Sequence, residues 1–289
     1  MIQEPAKARL QLKSHPENVA LVRATLTGFA EAAELSDELT ADLKSAVSEA
    51  CNNVALHAYD GSSGPMTVEI EGRHDGVGVV VSDRGRGITK ISVRDDRMGL
   101  GLALIGALAD RAEFLTPQGG GTEVHMWFAR ETAEVQAPAD ASSLAPLGSL
   151  EQTSTELTGE IVAWFAPADL LQFILGRIVR SVAASSHFSV SRVSDLRAVN
   201  DAIARYAELA ADGDVGVAIS SSSRRLNMTG GPFTVLGAQD PDRAPPDRTQ
   251  ELEQRKETLA GVVDALRTER VNGHELLHIE VVDTSRDVA

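Results

Sequence analysis

The chain has 289 residues, 43% of them hydrophobic, which suffices to bury the cores of one large domain or two of ordinary size, and two is the expectation. Its 27 basic and 42 acidic residues leave a net charge of −15, which repels phosphate backbones and anionic membranes, so neither nucleic acid nor a membrane is expected as partner. Cys51, the single cysteine, excludes an intrachain disulfide, the leading "MIQEPAKARLQLK" lacks the apolar core of a signal peptide, and no apolar run approaches the roughly 20 residues that span a bilayer; a cytoplasmic protein is expected.

The first half opens with an alternating strand pattern, "ARLQLK", followed by a helical pattern from about Pro16 to Ala33 and a second from about Ser36 to Ala58. Two strand patterns follow, "MTVEIEG" and "VGVVVSD", then a glycine-rich loop, a helix "GLGLALIGALAD" and a closing strand "TEVHMWFA". Between Arg130 and Glu156 the chain is rich in Ala, Ser, Pro and Thr without periodicity and reads as a linker. The expected organisation is therefore a domain over 1–130, a linker over 131–155 and a second domain over 156–289.

The second half repeats the order of the first: strand "EIVAWFA", a helix from Pro167, helix "SDLRAVNDAIARYAELA", strands "VGVAISS" and "RRLNMT", helix "LAGVVDAL" and strand "HELLHIEVV". Ala46, Val47, Glu49 and Ala50 align with Ala198, Val199, Asp201 and Ala202. This pattern reads as an internal duplication. Under it, the polar stretch "GAQDPDRAPPDRTQELEQRKE" is expected to be mobile or disordered.

One motif points elsewhere. His274 to His278 spell HELLH, a match to the zinc-peptidase signature HExxH. In the repeat, however, it occupies the place of the closing strand, with an Asn272-Gly273 turn before it. Four residues along a strand span about 13 Å, so His274 and His278 could not share one zinc ion there, as they could on a helix. The strand reading is preferred.

Chemistry is carried by four stretches of the first half. In "AVSEACNNVALHAY", Glu49, Asn53 and His57 fall at i, i+4 and i+8 and project from nearly one face, while Ala46, Val47, Ala50 and Val54 pack inward. Asn53 offers a neutral oxygen to Mg²⁺ held by phosphates, and Glu49 can accept a proton from an attacking hydroxyl or water. In "VVVSDRGRGI" a strand ends in Asp83, a carboxylate able to accept from an exocyclic amine such as adenine's, with Gly85 and Gly87 permitting close backbone approach. In "RMGLGLALIGALAD", Gly99 and Gly101 open a helix whose free N–H groups suit phosphates. In "GGGTEVHMWF", Thr122 places a hydroxyl at a strand start. Singly, each pattern is also that of a solvated helix face, a turn, a lone GxG or a plain loop.

Their order is more specific. A Glu/Asn helix, a strand ending in DxGxG, a GxGL helix and a GGT-led strand, in one register across about 85 residues, resemble the ATP-binding domain of the GHKL superfamily of gyrase, heat-shock chaperone ATPases, histidine kinases and mismatch-repair ATPases. The resemblance covers roughly Ala8 to Arg130, and "SEACNNVALHAY" is most similar to the helix of bacterial anti-sigma-factor serine kinases. It implies an α+β fold, a two-layer Bergerat-type sandwich with a mixed, mainly antiparallel sheet and helices on one face, present twice in tandem. It further implies Glu49 as catalytic base toward a protein serine, Asn53 as Mg²⁺ ligand and Asp83 as adenine anchor. By the same resemblance Gly85, Gly87, Gly99, Gly101 and Thr122 line the ATP pocket, Arg23 faces a protein partner, and "ITKISVRDDRM" over Ile88–Met98 forms a lid. Expected partners are a sigma factor and a STAS-domain antagonist.

The second half departs from this pattern. Asp201 stands where Glu49 would be, Arg205 where Asn53 would be, and no carboxylate matches Asp83. It is expected to keep the fold without binding nucleotide; related kinases are homodimers, and the chain is expected to be a tandem pseudo-dimer or a homodimer. Two other readings of the whole remain open: a regulatory protein that binds ATP without catalysis, and a detached catalytic module of histidine-kinase type.

Overall fold

The structure is a computed structural model that describes residues 5–87, 96–130, 157–211, 213–234 and 246–285. The chain divides into two compact units, Met1–Leu150 and Glu151–Ala289. The expected linker and most of the expected first lid lie outside the described residues. Among the described residues, no helix is long and apolar enough to cross a membrane.

In the first unit, β1 (Ala6–Lys13) alternates buried and half-buried positions, the period-2 signature of a strand with one covered face. A short 3₁₀ turn at Pro16–Asn18 leads into α1 (Val19–Ala32), and the chain turns at Glu34, where φ is 51°. Next comes α2 (Asp37–Asn53), started by Ser36: its extended backbone lets the hydroxyl accept from the Leu39 N–H at 3.2 Å, and Asp37 and Glu38 complement the positive helix end. Strands β2 (Pro65–Arg73) and β3 (Gly76–Asp83), helix α3 (Asp96–Leu108) and strands β4 (Arg111–Leu115) and β5 (Glu123–Ala129) complete the unit. The sheet order is β4-β5-β3-β2-β1, and every pairing is antiparallel. This is the expected α+β arrangement of sheet and helices. Leu10, Val68, Ile70, Val79, Val81 and Met126 from the strands meet Leu26, Phe29, Leu43, Val47 and Ile105 from the helices, all essentially inaccessible. Each such large side chain contributes about 1.5–3 kcal/mol by burial.

Two details depart from expectation. The edge strand β4 carries partly exposed side chains without alternation, so no strand was expected there. Helix α3 begins at Asp96, three residues earlier than expected, which moves Gly99 and Gly101 from its opening into its body.

The second unit runs β6 (Ile161–Ala166), α4 (Leu170–Ser185), α5 (Val190–Ala210), β7 (Val215–Ser222), β8 (Arg225–Thr234), α6 (Pro246–Ala260), β9 (Ala265–Val271) and β10 (His274–Val282). Its strands are ordered β6-β7-β8-β10-β9, again antiparallel. The HELLH motif lies on β10, with His278 opposite Thr229 and Arg267. Both ring nitrogens of His278 have partners, Thr229 Oγ1 at 3.1 Å and Glu269 Oε2 at 2.9 Å. Among the described residues, no group of three or more His, Cys, Asp or Glu is placed to hold a metal ion.

The stretch "LAGVVDAL", expected as a helix, contributes only Leu259 and Ala260 to one: α6 ends at Ala260 and β9 begins at Ala265. The helix forms instead from polar residues expected to be mobile. Its seam is only two leucines seven residues apart, Leu252 (7% exposed) and Leu259 (0%), and ion pairs support the rest: Arg255 with Glu251 at 2.5 Å, Lys256 with Glu275 at 2.8 Å. So thin a stripe is easily mistaken for a polar loop.

Candidate functional site

A pocket opens in the first unit where the end of α2, the end of β3, α3 and the start of β5 converge. Ala50, Val54, Leu102 and Val124 give it apolar walls, while Asn53, His57, Asp83 and Thr122 supply polar groups, with Arg86 and Gly87 also lining it. Such a mixture, apolar with a few convergent polar groups, is that of small-molecule sites.

Helix α2 buries Ala46, Val47, Ala50 and Cys51, and Glu49 and Asn53 lie half-exposed at the edge of that buried face. After Asn53 the helix widens into a π turn over Val54–Ala58. This irregularity, invisible in the sequence, places His57 off the simple 3.6-residue spacing and frees the Ala58 carbonyl, which accepts from the Arg86 N–H at 3.1 Å. The Asn53 side-chain nitrogen is buried and has no hydrogen-bond partner. It is the donor end of the carboxamide that has no partner, so it can donate to an acceptor brought into the pocket.

Asp83, 7% exposed, ends β3. Its Oδ1 accepts from the Gly85 N–H at 2.7 Å, and its own N–H donates to the Thr122 carbonyl oxygen at 2.9 Å. Burial pushes the Asp83 carboxyl above the ordinary carboxylate range, and hydrogen bonds from Gly85 and Thr122 offset part of that rise. Two glycines beside it have no room for a side chain. A Cβ on Gly85 would lie 2.2 Å from the Ala58 carbonyl oxygen, and one on Gly121, whose φ is 87°, would lie 2.1 Å from the Asp83 carbonyl oxygen. Gly87, with φ of 75°, faces Gly121 in turn. Tyr59 fastens the same loop: its hydroxyl donates to the Pro65 carbonyl at 2.6 Å and accepts from the Arg84 N–H at 2.9 Å.

Of the residues singled out in sequence, Asn53, Asp83, Gly87 and Thr122 come together in the pocket, and Gly85 supports its floor. Glu49 lies one turn before Asn53 and meets α3 at Gly101, which therefore serves as a contact for Glu49. Gly99 lies on α3. Arg23 is exposed on α1, and its Nη1 donates to Ser48 Oγ on α2 at 2.8 Å. Sequence reasoning missed Arg86, which pairs with Asp60 at 2.6 Å, and it missed Tyr59 and Gly121 as structural members. The repeated Arg-Gly of "DRGRG" and the third glycine before Thr122 were the available signals.

The histidine kinase-like ATPase domain family matches residues 12–128. The serine-protein kinase RsbW of Listeria innocua is 38% identical over 128 residues, which cover 82% of that protein and 39% of this chain. The anti-sigma F factor of Caldanaerobacter subterraneus subsp. tengcongensis is 28% identical over 127 residues, covering 89% of that protein and 40% of this chain. RsbW of Bacillus mycoides is 27% identical over 148 residues, covering 92% of that protein and 46% of this chain. Through its first unit, the chain belongs to the GHKL anti-sigma kinase family of histidine kinase-like ATPase domains.

Proposed function

We propose that the first unit is an ATP-dependent protein serine kinase and anti-sigma factor, which phosphorylates a serine of a small STAS-type antagonist. The observation that carries this reading is a single pocket holding a buried strand-end carboxylate, Asp83, and a carboxamide with an unpartnered Nδ2, Asn53, one helical turn from the carboxylate of Glu49. In this reading Asp83 accepts a hydrogen bond from the adenine amine, and the apolar walls of Ala50, Val54, Leu102 and Val124 hold the ring.

The glycines at 85, 87 and 121 fit close approach of a nucleotide; the unpartnered Asn53 Nδ2 would donate to a phosphate oxygen, and the neutral Oδ1 of the same carboxamide would face a phosphate-bound Mg²⁺. The metal would neutralise charge on the phosphates. Glu49 takes the proton of the substrate serine as its oxygen forms the new bond to the γ-phosphorus and ADP leaves with the electrons of the broken bond. Arg23 would meet the protein partner from α1, with Ser48 holding its guanidinium.

The second unit supports a tandem reading, since its elements and strands follow the order of the first. We infer that it binds no nucleotide. Counting along α5, Tyr206 takes the place of the pocket residue Val54, and it is 1% exposed. Its ring stands edge-to-face on Phe233 at 5.0 Å and its hydroxyl donates to Glu275 Oε1 at 2.8 Å, filling the space with protein. The silent copy would then serve as a built-in partner. Light scattering tests this: a monomer at low micromolar concentration supports it, and an obligate dimer argues against it.

Titration calorimetry with Mg-ATP tests the nucleotide site, expected at one per chain and lost in Asp83→Ala. Phosphate transfer from γ-labelled ATP to a STAS-domain protein tests the reaction. Transfer abolished by Glu49→Ala supports the kinase; ATP binding without any transfer would favour a non-catalytic regulator.

A further inference from the structure

Gly101 lies in the body of α3, where its N–H is already committed to the helix and a glycine is otherwise a poor choice. A Cβ built at this position would stand 2.3 Å from Glu49 Oε1, 3.1 Å from its Cδ and 3.2 Å from its Cγ. The nearest atoms all belong to this one carboxylate side chain. Five residues on, Gly106 of the same helix has nothing within 4 Å of its Cβ position.

We propose that Gly101 is a positioning residue: the bare backbone of α3 at this point forms the wall against which the Glu49 carboxylate is set. The proposal rests on the reading of Glu49 as proton acceptor. What a methyl group at 101 would displace is the far end of a flexible side chain, so the fold can accept it while the carboxylate must move. A misplacement of about 1 Å in a reacting group costs up to roughly 100-fold in rate. Neither Gly101 nor Glu49 lines the pocket itself.

The test compares Gly101→Ala with Gly106→Ala in the full chain. Alanine is the better helix former at both positions, so both variants should melt no lower than wild type. For Gly101→Ala, kcat for phosphate transfer should fall roughly 10- to 100-fold with the Mg-ATP dissociation constant within about twofold of wild type, and Gly106→Ala should change neither. In a Glu49→Asp background, whose side chain is one methylene shorter and clears the added methyl, the Gly101→Ala effect should vanish.

Unchanged kcat in Gly101→Ala, or weakened ATP binding in place of slowed transfer, would overturn the proposal. If the wild type transfers no phosphate at all, the kinase reading fails separately. The carboxylate position is then read by the Glu49 ¹³Cδ resonance, assigned with Glu49→Gln. A resonance displaced in Gly101→Ala and unmoved in Gly106→Ala supports the wall, and one unmoved in both refutes it.

Discussion

Asp83 and Thr122 are joined across neighbouring strands: the Asp83 N–H donates to the Thr122 carbonyl oxygen at 2.9 Å, and Thr122 returns hydrogen bonds to the Asp83 carboxylate. The sum leaves the carboxyl raised from 3.8, because burial outweighs these bonds. A carboxyl raised in the folded state is fully accommodated below its unfolded pKa, and its ionisation costs stability as pH rises through the folded one. Asp83→Asn removes that cost and keeps an oxygen for the Gly85 N–H. Thermal melts should show the variant at least as stable as wild type at pH 7, with the difference closing below about pH 4. Calorimetry should show Mg-ATP affinity lower by at least about 10-fold, roughly 1.4 kcal/mol.

Asn53→Ala removes a buried nitrogen that has no partner, so little folding energy is at stake. Denaturant midpoints should stay within about 0.5 kcal/mol of wild type. Magnesium-dependent ATP binding should fall about 10-fold or more, while any magnesium-independent binding persists.

Tyr59 holds the loop at Arg84 to the start of β2 through one donated and one accepted hydrogen bond. Losing both in Tyr59→Phe should cost about 1 kcal/mol in urea unfolding. Because the loop carries Gly85 and follows Asp83, nucleotide affinity should drop with it, in contrast to a merely structural substitution elsewhere on the sheet.

Cys51 is fully buried in α2, and burial pushes its thiol up from 9.0 to about 12. The native protein should resist thiol reagents at pH 8 and react only on unfolding. A thiol raised in the folded state contributes stability that is intact below its unfolded pKa, and that stability is lost as pH climbs from 9 toward 12. Alkaline melts of wild type against Cys51→Ala should show this window.

In the second unit, Lys256 pairs with Glu275 at 2.8 Å, linking α6 to β10. Both groups are largely but not wholly buried. Lys256→Met leaves the carboxylate with Tyr206 as its remaining partner, at a cost of about 2 kcal/mol in denaturant unfolding. The ATP stoichiometry of the first unit should not change.

The sequence alone determined elements whose one face is continuously buried. The alternation of β1, the stripe of α2 from Ala46 to Cys51 and the pattern of "HELLHIEVV" each encode a local geometry. That is why a zinc-like motif could be read as a strand. The pocket residues Asp83 and Thr122 stood out beside glycine-rich turns, and Asn53 by its i, i+4 spacing from Glu49. Tertiary structure alone decided the rest. The edge strands β4 and β9 and the two-leucine seam of α6 bury too little to leave a periodic trace, and the π turn after Asn53 has no composition of its own. The approach of Gly101 to Glu49, the Arg86–Asp60 pair and the contacts of Tyr206 with Phe233 and Glu275 join residues 26 to 69 positions apart. Contacts across such separations depend on how helices pack on a sheet, which local pattern does not record.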